Sequence, residues 1–344
     1  MKALVLEAYN KFVFRDYPDP KLRGPDDVLV RVRAAAICGS DVHGMDGSTG
    51  RRVPPIVMGH EAAGEIVEVG SGVGDYKPGD RVTFDSTEYC GECFHCRRGE
   101  VNLCENRRVL GVSCSDYRRD GTFAEYIVLP RRILYRIPEG LDFVGASIAE
   151  PAAVAAHAAA ITPIAMGDSM AVVGAGLIGL LLIQILRAHS PAAIIALETD
   201  PERRAAALAA GASAALDPAA PETPAAIRDL SAGRGVDRCF EAVGATAPIA
   251  TAIAATRKGG SVTLIGNVSP KVEIPLQSVV TRQIALLGSC ATAGEYPLVL
   301  DLLAKGAIDA RSIVSAAAPL SEGASWFSRL YAREKGLLKV VLEP

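Results

Sequence analysis

Along the first third of the chain, apolar residues fall in short runs or alternate with polar ones. Residues 3–6, 12–15 and 28–32 each predict a strand, with Pro18, Pro20, Gly24 and Pro25 breaking the chain between them. The β pattern resumes over 61–84, with Gly64, Gly70, Gly72, Gly74 and Gly79 at turn positions and Pro78-Gly79-Asp80 leading into a strand at 81–84. Residues 122–129 and 133–137 are strand-like, and 138–140 is a turn. Many short strands punctuated by Gly and Pro predict a partly closed β domain. Residues 146–160 are alanine-rich with helical periodicity.

From 169 to 290 the rhythm changes. Strand-like runs at 169–173, 193–197, 236–241, 261–265 and 284–288 are spaced by helical stretches such as 180–186 and 201–210, the latter stopped by Gly211. Strands alternating with helices predict a doubly wound parallel sheet, so the fold class is α/β with a separate β-rich domain in front. After Cys290, 54 residues remain, with a helix at 296–303, a stop at Gly306 and a strand at 337–342. That is too little for a third core, so this tail is expected to return to the first domain. The expected division is 1–155, 156–290 and 291–344.

Composition narrows the class. Of 344 residues 49% are apolar and 22% charged, values of a globular protein. The net charge is −3, and the basic residues occur as isolated pairs (Arg51-Arg52, Arg97-Arg98, Arg107-Arg108, Arg131-Arg132), read as solvated surface, so no nucleic-acid partner is expected. The most membrane-like stretch, 170–186, is short and carries Gly174, Gly176, Gly179 and Gln184, so a buried strand and helix fit it better than a membrane span. The apolar run at 1–6 has no basic start or cleavage site and is not expected to be a signal peptide. Eight cysteines in a chain of this length are not a disulfide framework; together with the missing export signal they point to the reducing cytoplasm.

Three stretches carry chemistry. Cys38-Gly39-Ser40-Asp41-Val42-His43, followed after a loop by Met58-Gly59-His60-Glu61, places thiolate, imidazole and carboxylate donors in one short span. Such donors can form a three-ligand catalytic zinc site that keeps one position open. Cys90, Cys93 and Cys96, with Cys104 after seven further residues, have the spacing of a closed tetrahedral zinc site; His95 lies inside the loop as a competing donor. A closed site is structural, and it would staple a polar, Arg-rich lobe at about 88–106. Gly174-Ala175-Gly176-Leu177-Ile178-Gly179 lies between a predicted strand and helix, and Glu198 ends the next strand 19 residues after Gly179. That context meets the requirements of a dinucleotide cradle. Glu198 would accept from the ribose hydroxyls and repel a 2′-phosphate, favouring NAD over NADP, whereas Arg203 is of the type that can serve such a phosphate. Glu150, a carboxylate in an apolar helix start, needs either a cap role or a nearby metal to offset its burial. Cys239 and Cys290 read as strand or core residues, and Cys114 has no assigned role.

Taken together, these residues resemble the zinc-dependent medium-chain dehydrogenases, most closely their polyol branch of sorbitol and galactitol-phosphate type, over nearly the whole chain. Gly59-His60-Glu61-x-x-Gly64, with Gly70 and Val73, is the most specific part of the match. The resemblance implies a GroES-like catalytic domain split around a Rossmann NAD-binding domain, in a homodimer or homotetramer. It implies Cys38, His60 and Glu61 as catalytic-zinc ligands and Glu150 as the carboxylate at or near the fourth position. It implies Asp41 orienting the His60 ring, Ser40 touching the reacting oxygen and His43 ending a proton relay. It also implies cofactor contacts at Gly174, Gly176, Leu177, Ile178, Gly179, Glu198, Arg203, Ile265, Gly266 and Asn267. The branch often carries an aromatic after the relay His and an Arg after the last Rossmann strand; here those places hold Gly44 and Ala291. The expected activity is hydride transfer between NAD and a secondary alcohol or ketone of a polyol, sugar or sugar-alcohol phosphate. A threonine- or butanediol-type dehydrogenase and a non-catalytic NAD-binding protein of the same fold are the alternatives.

Overall fold

The computed structural model describes residues 1–190 and 192–344. The chain divides into two compact units, Met1–Glu150 with Ala293–Pro344, and Pro151–Thr292.

The first unit is built on β strands. β1 (Lys2–Ala8) and β2 (Lys11–Asp16) form an antiparallel pair, and β3 (Asp27–Ala36) is the spine of a seven-stranded sheet. Alternation explains the first part of β3: Val28, Val30 and Val32 are buried, while Arg31 between them is exposed. Burying each such side chain contributes about 1.5–3 kcal/mol. The alternation ends at Ala34, Ala35 and Ala36, which are all buried. The short helix α1 (Gly39–Gly44) follows, then β4 (Ile56–Val57), β5 (Glu61–Val69) and β6 (Arg81–Phe84).

The register around β3 positions the site. On one side β5 runs antiparallel, with Ala36 opposite Glu61. On the other side the strand Tyr126–Pro130 pairs with the first half of β3, and the terminal strand Lys339–Glu343 pairs with its end, Val341 opposite Ala36. The last 52 residues thus reach the sheet of the first unit by a strand pairing. Arg51-Arg52 does not remain wholly at the surface: Arg52 is buried, a correction to its reading as a solvated pair, because its guanidinium finds a buried carboxylate, described below.

The second unit is a six-stranded parallel sheet in the order Ala214–Leu216, Ile194–Leu197, Met170–Val173, Val236–Glu241, Thr256–Leu264, Ala285–Gly288. The order reverses on either side of Met170–Val173, the switch point of a doubly wound sheet. The strand Ala214–Leu216 gives no sequence signal because its three residues are small or half-buried. Met170–Val173 and the helix Leu177–His189 account for the apolar stretch at 170–186. The helical segment Phe143–Ile161 has the length and composition of a membrane span, but 72% of its most apolar window is buried inside the protein.

Candidate active site

Cys38 immediately precedes α1, and His60 and Glu61 stand at the start of β5. Their pairing along the end of β3 brings one Cys sulfur, one His ring nitrogen and one Glu oxygen within 4.8 Å of one another. Gly59 makes this approach possible. Its φ is +95°, and a Cβ there would meet Thr122 Oγ1 at 2.6 Å and the Phe123 ring at 3.0 Å. The segment is clamped by the Gly121 N–H donating to Val57 O (2.7 Å) and the Phe123 N–H donating to Met58 O (3.0 Å). His60 and Glu61 are buried and Cys38 half-buried.

A shell of charges surrounds the three. Asp41 is fully buried; its Oδ2 lies 3.4 Å from His60 Nδ1. Its Oδ1 accepts from Arg52 Nη2 (2.9 Å) and Nε (3.2 Å). Burial alone would raise the Asp41 carboxyl, yet the facing His60 and Arg52 hold it well below the usual carboxylate range. Arg52 also explains Gly44: a Cβ at 44 would meet Arg52 Cγ at 2.6 Å, so no aromatic fits there. At the second departure from the polyol pattern, Ala291 takes a left-handed backbone, φ +53°. Lys339, from the terminal strand, donates to Glu61 Oε2 at 2.5 Å and to Ile37 O at 2.9 Å. Glu61 Oε1 is buried with no hydrogen-bond partner among the described residues. Glu150 is also buried and accepts from Ser86 Oγ at 2.9 Å. Burial is the main cause that pushes its carboxyl up to about 7; Glu61 and Asp85 add to the rise, and His60 and Ser86 oppose it. Tyr296, fully buried and stacked on Tyr135 at 4.6 Å, leaves its hydroxyl without a hydrogen-bond partner.

The thiolate, imidazole and carboxylate donors, with one carboxylate oxygen left unpartnered, fit a zinc ion. Ser40 and His43 are exposed on α1, three residues apart and therefore on one face. Arg52, Ser86, Lys339 and Tyr296 are site neighbours that the sequence reading missed. The charge of Lys339 directly before the apolar run Val340-Val341-Leu342 was the one signal available.

The lobe at 88–106 presents a second cluster. Cys90, Cys93, Cys96 and Cys104 gather their sulfurs within 4.8 Å. Cys90 Sγ is 3.9 Å from Cys96 Sγ and 3.6 Å from Cys104 Sγ. A tetrahedral zinc with bonds of about 2.3 Å needs sulfurs about 3.8 Å apart, so the cage has the right size. The N–H groups of Cys93 and Cys90 donate to Cys90 Sγ and Cys104 Sγ at 3.4 and 3.3 Å, as they would to thiolates. Those of Glu92 and Cys93 lower the Cys90 thiol to about 6. His95 instead pairs with Glu100 at 2.9 Å, outside the sulfur cage. Among the described residues no cysteine forms a disulfide.

In the second unit the glycine-rich turn joins Met170–Val173 to Leu177–His189. Gly179 is obligatory, since a Cβ there would meet Gly174 O at 1.9 Å. Gly176 faces open space, room that a ligand can occupy. Glu198, buried directly after the strand Ile194–Leu197, ties the turn to the next strand: Oε2 accepts from Ala175 N (2.8 Å) and Oε1 from Asp200 N (3.0 Å). A carboxylate has further lone pairs for hydroxyls. Arg203 is exposed at the start of the next helix, whereas Arg204 donates to Glu198 O and Thr199 O, both at 2.8 Å. Gly266 packs on Gly244, setting Ile265 and Asn267 beside the end of the strand Val236–Glu241.

A family model described as alcohol dehydrogenase GroES-like domain matches residues 24–139, and one described as zinc-binding dehydrogenase matches 178–305. Sorbitol dehydrogenase of Bacillus subtilis is 32% identical over all of this chain and 97% of its own. D-arabitol-phosphate dehydrogenase of Enterococcus avium is 32% identical over 97% of this chain and 94% of its own. The solved structure of a zinc-binding dehydrogenase from Sinorhizobium meliloti, bound to NADP, superposes with TM-score 0.90 at 34% identity, covering 100% of this chain and 99% of that one. By these matches and the donor sets described above, the chain belongs to the zinc-dependent medium-chain alcohol and polyol dehydrogenases.

Proposed function

We propose that this enzyme transfers a hydride between NAD and a secondary alcohol carbon of a polyol, a sugar or a sugar-alcohol phosphate. The observation that carries the reading is the convergence of Cys38, His60 and Glu61, with Glu150 buried as a further carboxylate of the same unit. Cys38, His60 and Glu61 would hold a catalytic zinc, and Cys90, Cys93, Cys96 and Cys104 a structural one. Gly174, Gly176, Leu177, Ile178, Gly179, Glu198, Arg203, Ile265, Gly266 and Asn267 would hold the dinucleotide. When bound, zinc supplies Lewis acidity to the alcohol oxygen and the nicotinamide accepts the hydride. Asp41 orients the His60 ring, itself held by Arg52. Ser40 Oγ would accept the proton of the substrate hydroxyl as its own proton passes to the His43 ring, which releases it to solvent; both side chains on α1 are exposed. Glu150 would be the carboxylate that binds at, or hydrogen-bonds to, the fourth position. The intact Cys38, His60 and Glu61 set argues against a non-catalytic protein of this fold.

The test is nicotinamide reduction followed by absorbance against sugar alcohols, their phosphates, threonine, butanediol and simple alcohols, with NAD or NADP, before and after a zinc chelator. Chelator-sensitive turnover of polyols with NAD is the expected result. Turnover indifferent to zinc removal overturns the metal assignment; threonine or butanediol as the best substrate replaces the substrate class.

The chain is further proposed to work in the cytosol, where its cysteines stay reduced, as a homodimer or homotetramer. Among the described residues the strand Ala285–Gly288 ends its sheet with an unpaired edge, and Val268, Val272, Ile274, Leu276 and Val280 expose apolar surface on the segment leading to it. A second copy would cover both. Light scattering should give a mass of two or four chains; a monomer at working concentration rules the assembly out.

A further inference from the structure

Lys339 and Glu61 lie 278 residues apart in the chain and form an ion pair in which each side chain is 1% exposed. Strand register explains their meeting. Val341 faces Ala36 across the antiparallel pair, and the Ile37 N–H donates to Val340 O at 2.9 Å, so the same register continued by two residues sets Lys339 opposite Cys38. On the other flank of β3, Glu61 faces Ala36. The ammonium therefore sits among the proposed metal ligands without being able to serve as one, since Lys offers only donors. It engages Glu61 Oε2 and Ile37 O, and it leaves Glu61 Oε1 as a buried acceptor with no partner.

We propose that Lys339 is a positioning residue for the metal site: it holds Glu61 by one oxygen, presents the other to the cation, and keeps the metal-free site folded. This rests on the assignment of Cys38, His60 and Glu61 as metal ligands. Taking one partner from a buried ion pair leaves an uncompensated charge, a large penalty in the metal-free protein. A bound cation would remove most of that penalty by taking over as the counter-charge. Lys339 and the metal therefore compete electrostatically for one carboxylate, and the ammonium restrains how tightly the metal is held.

The experiment compares the full-length enzyme with Lys339→Met, Glu61→Gln, the double variant and Cys38→Ser. The four-cysteine site is kept loaded, and the readouts are zinc affinity by chelator competition and thermal midpoint with and without the second zinc. Lys339→Met should bind the second zinc about ten- to a hundredfold more tightly, because a like charge near the cation is gone. Its midpoint should fall mainly in the metal-free state, and Glu61→Gln should recover that loss in the double variant. Equal or weaker zinc affinity in Lys339→Met overturns the proposal, as does an equal drop in both states. If Lys339→Met does not fold without zinc, recovery by Glu61→Gln supports the proposal, and failure of the double variant to fold overturns it. Cys38→Ser separates the two levels: if it leaves zinc content unchanged, the metal-site assignment itself fails.

Discussion

Replacing Ser40 by Ala is expected to lower turnover by about 10²–10⁴-fold, the scale on which positioned acid–base groups act. Zinc content and dinucleotide affinity should stay as they are. Ser40 is the second residue of α1, two positions after Cys38, so its hydroxyl is anchored to the same backbone as the thiolate. Its side chain is exposed and has no buried partner to lose, so the variant should fold normally. His43 lies one turn further along α1, next to solvent. Two carboxylates of the ligand set and its surroundings are already paired with cations. Asp41 is held by Arg52 and faces His60, Glu61 is held by Lys339, and burial pushes Glu150 up to about 7. The proposed route for the substrate proton is the hydroxyl–imidazole pair on α1. Turnover close to that of the unaltered enzyme, with kcat and KM both preserved, would remove Ser40 from that route.

The second large effect concerns the lobe. Cys93→Ser is expected to cost about one zinc per chain and to open the segment at 88–106 to proteolysis, with a clearly lower thermal midpoint. The lobe cannot stabilise itself: Phe94 is 64% exposed and Leu103 46%, so little apolar surface is buried there. Cys93 also stands at the start of the one-turn helix Phe94–Arg97, so losing its sulfur frees both the cage and the turn. Structural zinc in small domains contributes about 10–16 kcal/mol of apparent binding free energy, which becomes folding free energy. Loss of one of four ligands removes a large share of that in this segment. The measurements are zinc content and limited proteolysis. A fully stable, protease-resistant variant depleted of one zinc would refute a structural role for the cluster. Turnover per remaining catalytic zinc should fall less than stability does, since Cys93 belongs to the lobe and not to the Cys38, His60 and Glu61 set.

Much of this protein could be read from local sequence, and the reason is physical. Strand alternation at Val28, Val30 and Val32 reports a half-buried surface directly. The spacing of Cys90, Cys93 and Cys96 is a short-range constraint that a tetrahedral ion imposes on neighbouring turns, so Cys104 needed only to lie near. Gly179 is demanded by the close approach of its own turn, 1.9 Å from Cβ to Gly174 O, so the dinucleotide cradle announces itself within six residues. Cys38, His60 and Glu61 could be named as donors because they share one span, although which of the nearby groups converge was carried by resemblance.

What only the tertiary structure decided is how charges pair across strands. The pairing of Lys339 with Glu61 depends on the register of a strand at the far end of the chain, and no local pattern encodes such a register. Arg52, half of a pair that reads as solvated, is buried because Asp41 needs a cation and Gly44 leaves it room. Glu198 reads as a ribose acceptor, yet it also fastens the glycine turn, since a buried carboxylate takes up every nearby N–H. Sequence alone determined the elements and the kinds of donor present. Folding chose which charges neutralise one another, because burial makes an unpaired charge far more costly than any local preference.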